Sequence, residues 1–222
     1  ITAGGAGSTL TVTAKDQFGK AIADIPKEAI TFSSSDPNDT FTPPASATSA
    51  IGQATGTLTS TTAGSKKISV TIQGVLVTQT ATIEVTAAAA SQFVLTTPSS
   101  EQQAGTSQLL TITATDKDGN RDTWYAGIKD LIFQGADIPP SGGSIPYILD
   151  KDGIQRFFGN TTQLTFTNGV ATGSLMLYKA EMAKIIATEG SLTTPKPLNI
   201  TVTPTGDYSA ALQANPRAIT VG

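Results

Sequence analysis

An all-β chain, folded as two β-sandwiches in tandem, is what the sequence predicts, and three observations predict it. Apolar residues alternate with Thr or Ser in short runs. Gly, Asn-Gly and Asp-Gly separate those runs, and one ordered set of segments occurs twice. Many short alternating strands between turn signals are the pattern of a sandwich.

The strands are legible one by one. TLTVTA (Thr9 to Ala14), KKISVTI (Lys66 to Ile72), TATIEVTA (Thr80 to Ala87), LLTITATD (Leu109 to Asp116) and LNITVT (Leu198 to Thr203) keep the period of two that a half-buried strand produces. Only KAEMAKIIATEG (Lys179 to Gly190) hints at a helix, and its second half reads more easily as a strand and turn.

The duplication sets the organisation. GSTLTVTAKDQFGK (Gly7 to Lys20) aligns with SQLLTITATDKDGN (Ser107 to Asn120), which superposes Leu10 on Leu110, Asp16 on Asp116 and Gly19 on Gly119. AITF (Ala29 to Phe32) then answers DLIF (Asp130 to Phe133), GQATGTL (Gly52 to Leu58) answers GVATGSL (Gly169 to Leu175), and TIEV (Thr82 to Val85) answers NITV (Asn199 to Val202). The expected division is a first domain at 1–88, a second at 89–205 with a long insertion at 134–168, and a strand-like tail at 206–222. The linker AAAAS (Ala87 to Ser91) is short and lacks Gly and Pro, so limited bending is expected between the copies. The insertion is the place where a sandwich carries individual function.

The segments TVTAKDQFGKAI and TITATDKDGNRD, the two GxATGxL motifs and the endings TIEVT and NITVT resemble the bacterial immunoglobulin-like repeats of the invasin and intimin type. The resemblance implies an immunoglobulin-like Greek-key β-sandwich, used in tandem on cell-surface proteins as a spacer or stalk. A fold of this kind does not fix function.

Composition narrows the chemistry. Histidine and cysteine are absent, which removes the commonest general base, the commonest metal ligands, the thiol nucleophile and any disulfide. Charged residues make up 14% of the chain, against about 25% in an average soluble domain. The net charge of −3 provides no basic stripe for phosphate contacts, so a nucleic-acid partner is not expected. No apolar run approaches the roughly 20 residues of a membrane-spanning helix. Ser65 and Lys66 adjoin in sequence, but at a turn into a strand, and no catalytic residue is expected; the chain reads as a non-enzyme.

DKDGNRD places side-chain oxygens at Asp116, Asp118, Asn120 and Asp122, a spacing a calcium loop could use, and calcium is the one cofactor considered. The glycine is misplaced for an EF-hand, and the first copy keeps only DQFGK, so a tight turn between strands is the competing reading. LDKDGIQ (Leu149 to Gln155) raises the same pair of readings. Trp124, Tyr125 and Tyr147 concentrate aromatic character in the second copy, as a platform for a surface glycan or protein partner. The alternative is that Trp124, with Phe157 and Phe158, clamps the insertion onto the sandwich.

The termini sharpen the reading. SQFVLTTPSSEQQAG (Ser91 to Gly105) supplies the second copy with a first strand, a proline kink at Pro98 and a short further segment. Residue Ile1 aligns near Glu101, so the first copy lacks that strand, while the tail SAALQANPRAITVG (Ser209 to Gly222) reproduces it, with Pro216 for Pro98. Two explanations stand: the tail opens a further repeat of a longer tandem protein, or Ala211, Leu212, Ala214, Pro216, Ile219 and Val221 donate a strand to another copy, beside Leu10, Val12 and Ala14. Strand addition would join copies head to tail into a filament. The expected function is therefore an extracellular, cell-surface stalk or fibre subunit whose partner is itself or a neighbouring repeat. The alternative is an adhesin or carbohydrate-binding segment that recognises through the insertion.

Overall fold

The computed structural model describes residues 1–140 and 142–206. Ala211, Leu212, Ala214, Pro216, Ile219 and Val221 therefore lie outside the described residues. Within them the chain is strands and turns, with one 3-10 turn at Lys27–Ala29.

The N-terminal part has seven strands: β1 (Ser8–Thr13), β2 (Ile30–Ser34), β3 (Thr40–Thr42), β4 (Gln53–Thr59), β5 (Gly64–Ile72), β6 (Val75–Leu76) and β7 (Ala81–Val85). They form two sheets, β1-β4-β3 and β2-β5-β6, with β7 also on β5. The C-terminal part continues with β8 (Gln92–Thr96), β9 (Glu101–Gln103), β10 (Ser107–Thr115), β11 (Gly127–Gln134), β12 (Tyr147–Leu149), β13 (Gln155–Phe157), β14 (Thr161–Phe166), β15 (Val170–Met176), β16 (Glu181–Glu189), β17 (Leu192–Thr193) and β18 (Leu198–Thr203). Their order is β13-β12-β15-β10-β8-β17-β16-β11-β14, with β18 on β16 and β9 on β18. No strand pairing among the described residues crosses from one part to the other.

The duplication in sequence is a duplication in hydrogen bonding. The β1–β4 ladder pairs Leu10 with Gly56, and the β10–β15 ladder pairs Leu110 with Gly173. Ala14 N–H donates to Gly52 O and Ala114 N–H to Gly169 O; Gly4 N–H donates to Ser60 O and Gly105 N–H to Leu177 O. The GxATGxL motif has a physical reason in both copies. Gly52 and Gly169 have φ of +73° and +78°, where a side chain is strained. A Cβ on Gly56 would meet the Phe32 ring of the facing sheet at 2.6 Å, and one on Gly173 would meet Ile148 of the neighbouring strand β12 at 2.7 Å, so both positions are crowded for any larger residue.

Two expectations need correction. The hint of a helix in KAEMAKIIATEG is not realised: the strand and turn read in its second half extend through the first, and Glu181–Glu189 is one strand that buries Ala183, Ile185 and Ala187 in alternation. The insertion is more than a connection and carries three short strands: its apolar alternation in TTQLTF pairs with β11, while Tyr147 and Ile148 extend the β15 edge. The Ser91 to Gly105 stretch behaves as read: β8, a break around Pro98, then β9.

The cores of the two parts differ. In the C-terminal part, Phe93, Leu95, Leu110, Ile112, Phe133, Leu164, Phe166 and Ile185 belong to one continuous buried cluster. The N-terminal core is split into Val12, Ala14, Ile25, Ile30 and Ala54, and separately Leu10, Leu58 and Ile68. Strand β8 makes the difference. It pairs β10 on one side and touches β17 on the other, and it buries Phe93 and Leu95 between the sheets.

Phe93→Ala should therefore cost about 3–5 kcal/mol, the usual range for a fully buried Phe. Urea unfolding followed through Tyr125, which packs on Phe93, checks it; a loss under about 1 kcal/mol would contradict the role given to β8.

Candidate functional site

Strand β1 pairs β4 and no other strand among the described residues. In the C-terminal part the corresponding edge of β10 takes β8, in the register Thr111 to Thr96 through Thr115 to Gln92. Where β8 would lie in the N-terminal part there is a groove of about 400 Å³, lined by β1, by Phe32, Ile68 and Val70, and by residues 77–83. Leu10 and Val12 line it. Ala14 does not line it; it packs in the core beyond the groove's end. Residues 1–3 occupy the place that β9 takes beside β18: Thr2 bridges Thr86, Ala3 N–H donates to Thr86 O, and Thr86 N–H donates to Ile1 O.

The suspected calcium oxygens are engaged elsewhere, at the joint between the two parts. Asp116 is buried and accepts from Asp118 N–H at 3.0 Å, Asn120 N–H at 2.9 Å and Ala88 N–H at 3.1 Å. Asn120 Nδ2 also donates to it. Asp122 is buried and accepts from Ala90 N–H at 2.9 Å and from Trp124 N–H. Two carboxylates thus hold the linker by its backbone. Asn120 reaches across: its Nδ2 donates to Thr61 O at 2.8 Å and its Oδ1 accepts from Ala63 N–H at 2.8 Å. Asp118 pairs with Lys117 on the surface, and a Cβ on Gly4 would lie 3.0 Å from Asp118 Oδ2. The same turn recurs at Asp16, which accepts from Phe18 and Lys20 N–H, and at Asp150, which accepts from Asp152 and Ile154 N–H. Among the described residues no group of three carboxylates is placed to hold a metal ion.

Burial alone would push the Asp116 carboxyl up. The hydrogen bonds from Asn120, Ala88 and Asp118 outweigh it and hold the group below its ordinary value.

Trp124, Tyr125 and Tyr147 do not come together. Trp124 stands 85% exposed at a turn, which overturns the expectation that it clamps the insertion: the Asp122 turn aims it outward, and Tyr125 takes the core position against Phe93 and Phe166. Burial and the hydrogen bond from its hydroxyl to Glu189 push the Tyr125 phenol up. Phe158 alone does what was expected of it, packing on Phe133. Tyr147 sits at the far end of β15, paired with Met176, while Tyr125 O accepts from Gly169 N–H just before that strand begins. Six residues of strand separate the two ends by about 20 Å. Tyr147 belongs to a different cluster, 6.5 Å from the Phe157 ring and 6.3 Å from Tyr178.

Lys66, beside Ser65, is buried and paired with Asp36. Among the described residues no helix is long and apolar enough to cross a membrane.

The model of the bacterial Ig-like domain (group 1) matches residues 1–86. That match covers less than half of the chain. Three pairings found in the matched residues recur in the C-terminal part: β1–β4 as β10–β15, β2–β5 as β11–β16 and β5–β7 as β16–β18. Among solved structures the chain is similar to the Escherichia coli adhesin FdeC, at 22% identity over 91% of this chain and 61% of that one, with a TM-score of 0.44. It is also similar to the Yersinia pseudotuberculosis adhesin InvE, at 20% identity over 91% and 56%, TM-score 0.39. Invasin, a bacterial integrin-binding protein, gives 18% identity over 89% and 36%, TM-score 0.43. The chain spans less than two thirds of each of these structures. No curated protein matches it.

Asn120→Ala should leave Ala63 N–H without its acceptor and speed its hydrogen exchange about tenfold, the effect of one lost hydrogen bond; unchanged exchange would contradict the contact. The Asp116 link is expected to be complete above the ordinary aspartate value of about 3.9 and to be lost as pH falls through the lowered folded value. The Ala88 amide shift, followed by NMR on acidification, should show a midpoint below that ordinary value.

Proposed function

We propose that the chain is a non-catalytic structural segment of an extracellular, cell-surface protein, built of Ig-like domains at 1–88 and 89–205. The open edge of β1 is completed by a strand from residues 206–222 of another copy, joined head to tail as a stalk or fibre. The observation that carries this reading is the groove beside β1, at the place where β8 fills the C-terminal part. Unpaired backbone groups at a sheet edge are a template for a further strand, and an apolar groove beneath the edge adds side-chain selectivity.

The sequence of the tail supports it. The shift in number that carries Ser60 onto Leu177 and Val85 onto Val202 also carries Leu95 onto Leu212 and Gly105 onto Gly222, without a gap. In that register Ala210 and Leu212 take the inward positions of Phe93 and Leu95, and Pro216 falls one place beyond Pro98. The final Ile-Thr-Val-Gly of residues 219–222 repeats the Ile-Thr-Ala-Gly of residues 1–4. Since residues 1–3 already lie beside Thr86, the donated tail fills the edge with residues 210–214. Its last four residues then exchange with the acceptor's first four or stay outside the sheet.

The test removes residues 209–222 and adds them back as a peptide. The shortened chain should be monomeric, and the peptide should protect β1 amides from hydrogen exchange. A full chain that stays monomeric at every concentration, with no protection by the peptide, would sink the reading.

A further inference from the structure

We propose a second contact in the same head-to-tail assembly: the turn Asp16–Lys20 of one copy, led by Phe18, docks into an aromatic cleft formed by Tyr147, Phe157 and Tyr178 of another. The inference rests on the head-to-tail reading above and uses the internal joint as its template. In that joint the turn Asp116–Asn120 sits on the end loop of the N-terminal part, through Asn120 to Thr61 and Ala63, and through the Lys117–Asp118 pair against Gly4.

Each side of the internal joint has a counterpart at an outward end of the chain, and both counterparts differ in the same sense. On the turn side, Phe18 stands for Asp118, Lys20 for Asn120 and Ile22 for Asp122. The turn itself is unchanged: Asp16 N–H donates to Lys20 O as Asp116 N–H donates to Asn120 O. Phe18 is 85% exposed and Ile22 39% exposed, so a polar hook has become an apolar one. On the loop side, Tyr178 stands for Thr61 and lies against Gly105, the counterpart of Gly4. Around it the insertion adds Tyr147, Phe157 and Ile145 to line a cleft of about 250 Å³. A cavity of about 150 Å³ accepts a benzene ring, so this one has room for the Phe18 side chain. A polar turn meets a polar loop inside the chain; an apolar turn and an aromatic cleft face outward at opposite ends.

The spacing agrees as well. Residues 86–91 connect β7 to β8, and residues 203–208 connect the corresponding positions before the tail, with no insertion or deletion between them. A tail strand entering the β1 edge from the Lys15 end, as β8 enters β10 from Thr115, brings the Phe18 turn against the donor's Tyr178 end. Burial of an aromatic ring against aromatic partners supplies affinity that the strand's backbone pairing does not.

The chain has no cysteine, so single cysteines report cleanly. Full-length chains carrying F18C and Y178C, mixed under mild oxidation, should form the mixed disulfide at least about tenfold faster than either forms a symmetric one, since bridging demands Cα atoms within about 7 Å. Equal rates, or no mixed product, overturn the proposal. Ser144→Cys, on the exposed rim of the cleft, replaces Y178C if the ring cluster is disturbed. Phe18→Asp separates this contact from strand donation: it should weaken self-association of the full chain about tenfold, as loss of a central aromatic anchor does, while the tail peptide still protects β1. Association unchanged by F18D overturns the cleft contact and leaves strand donation standing.

Discussion

A strand hydrogen-bonded on one side presents a row of donors and acceptors on the other, and β1 is in that position with a groove beneath it. The rest of the architecture follows from whether that row is filled. In the C-terminal part, β8 fills it, links the β10 side to the β16 side through β17, and places Phe93 and Leu95 in a single core. In the N-terminal part the two sheets share no strand, and the buried residues fall into two clusters. Backbone satisfaction and apolar burial therefore make the same demand at the same place.

The joint between the parts shows how a turn becomes a connector. Asp116 closes its own turn by accepting Asp118 and Asn120 N–H, and has capacity left for Ala88 of the linker. A carboxylate accepts several hydrogen bonds at once and is strengthened by its charge, which makes it a better anchor for a linker backbone than a neutral side chain. Asn120 adds both a donor and an acceptor toward Thr61 and Ala63. Of the side chains whose oxygens suggested a cation, Asp116, Asn120 and Asp122 accept from peptide N–H groups, and Asp118 pairs with Lys117.

Periodicity and repetition made most of the fold legible, because each depends on local order. The alternation in LLTITATD marks β10, Pro98 marks the break between β8 and β9, and the aligned GxATGxL motifs mark β4 and β15. What sequence did not show depends on distance. The strands of the insertion are hard to see in the sequence because β12 and β13 are three residues each, and β12, which holds β13, is itself held by β15, far along the chain. Trp124 has the size of a core residue, but the Asp122 turn gives the core position to Tyr125. At Phe18 the sequence shows only a turn, and its difference from Asp118 takes on meaning from the way the Asp116–Asn120 turn lies against Gly4 and Thr61. Comparing Phe18 with Asp118 in the aligned copies was the one available signal.

The central claim is that β1 is completed by the tail of another copy. Mixing an isotopically labelled chain with an unlabelled one and recording intermolecular NMR contacts tests it most directly. The account predicts contacts from Leu212 of one copy to Leu10 and Val12 of another. Contacts from Leu212 only to residues of its own chain would contradict it.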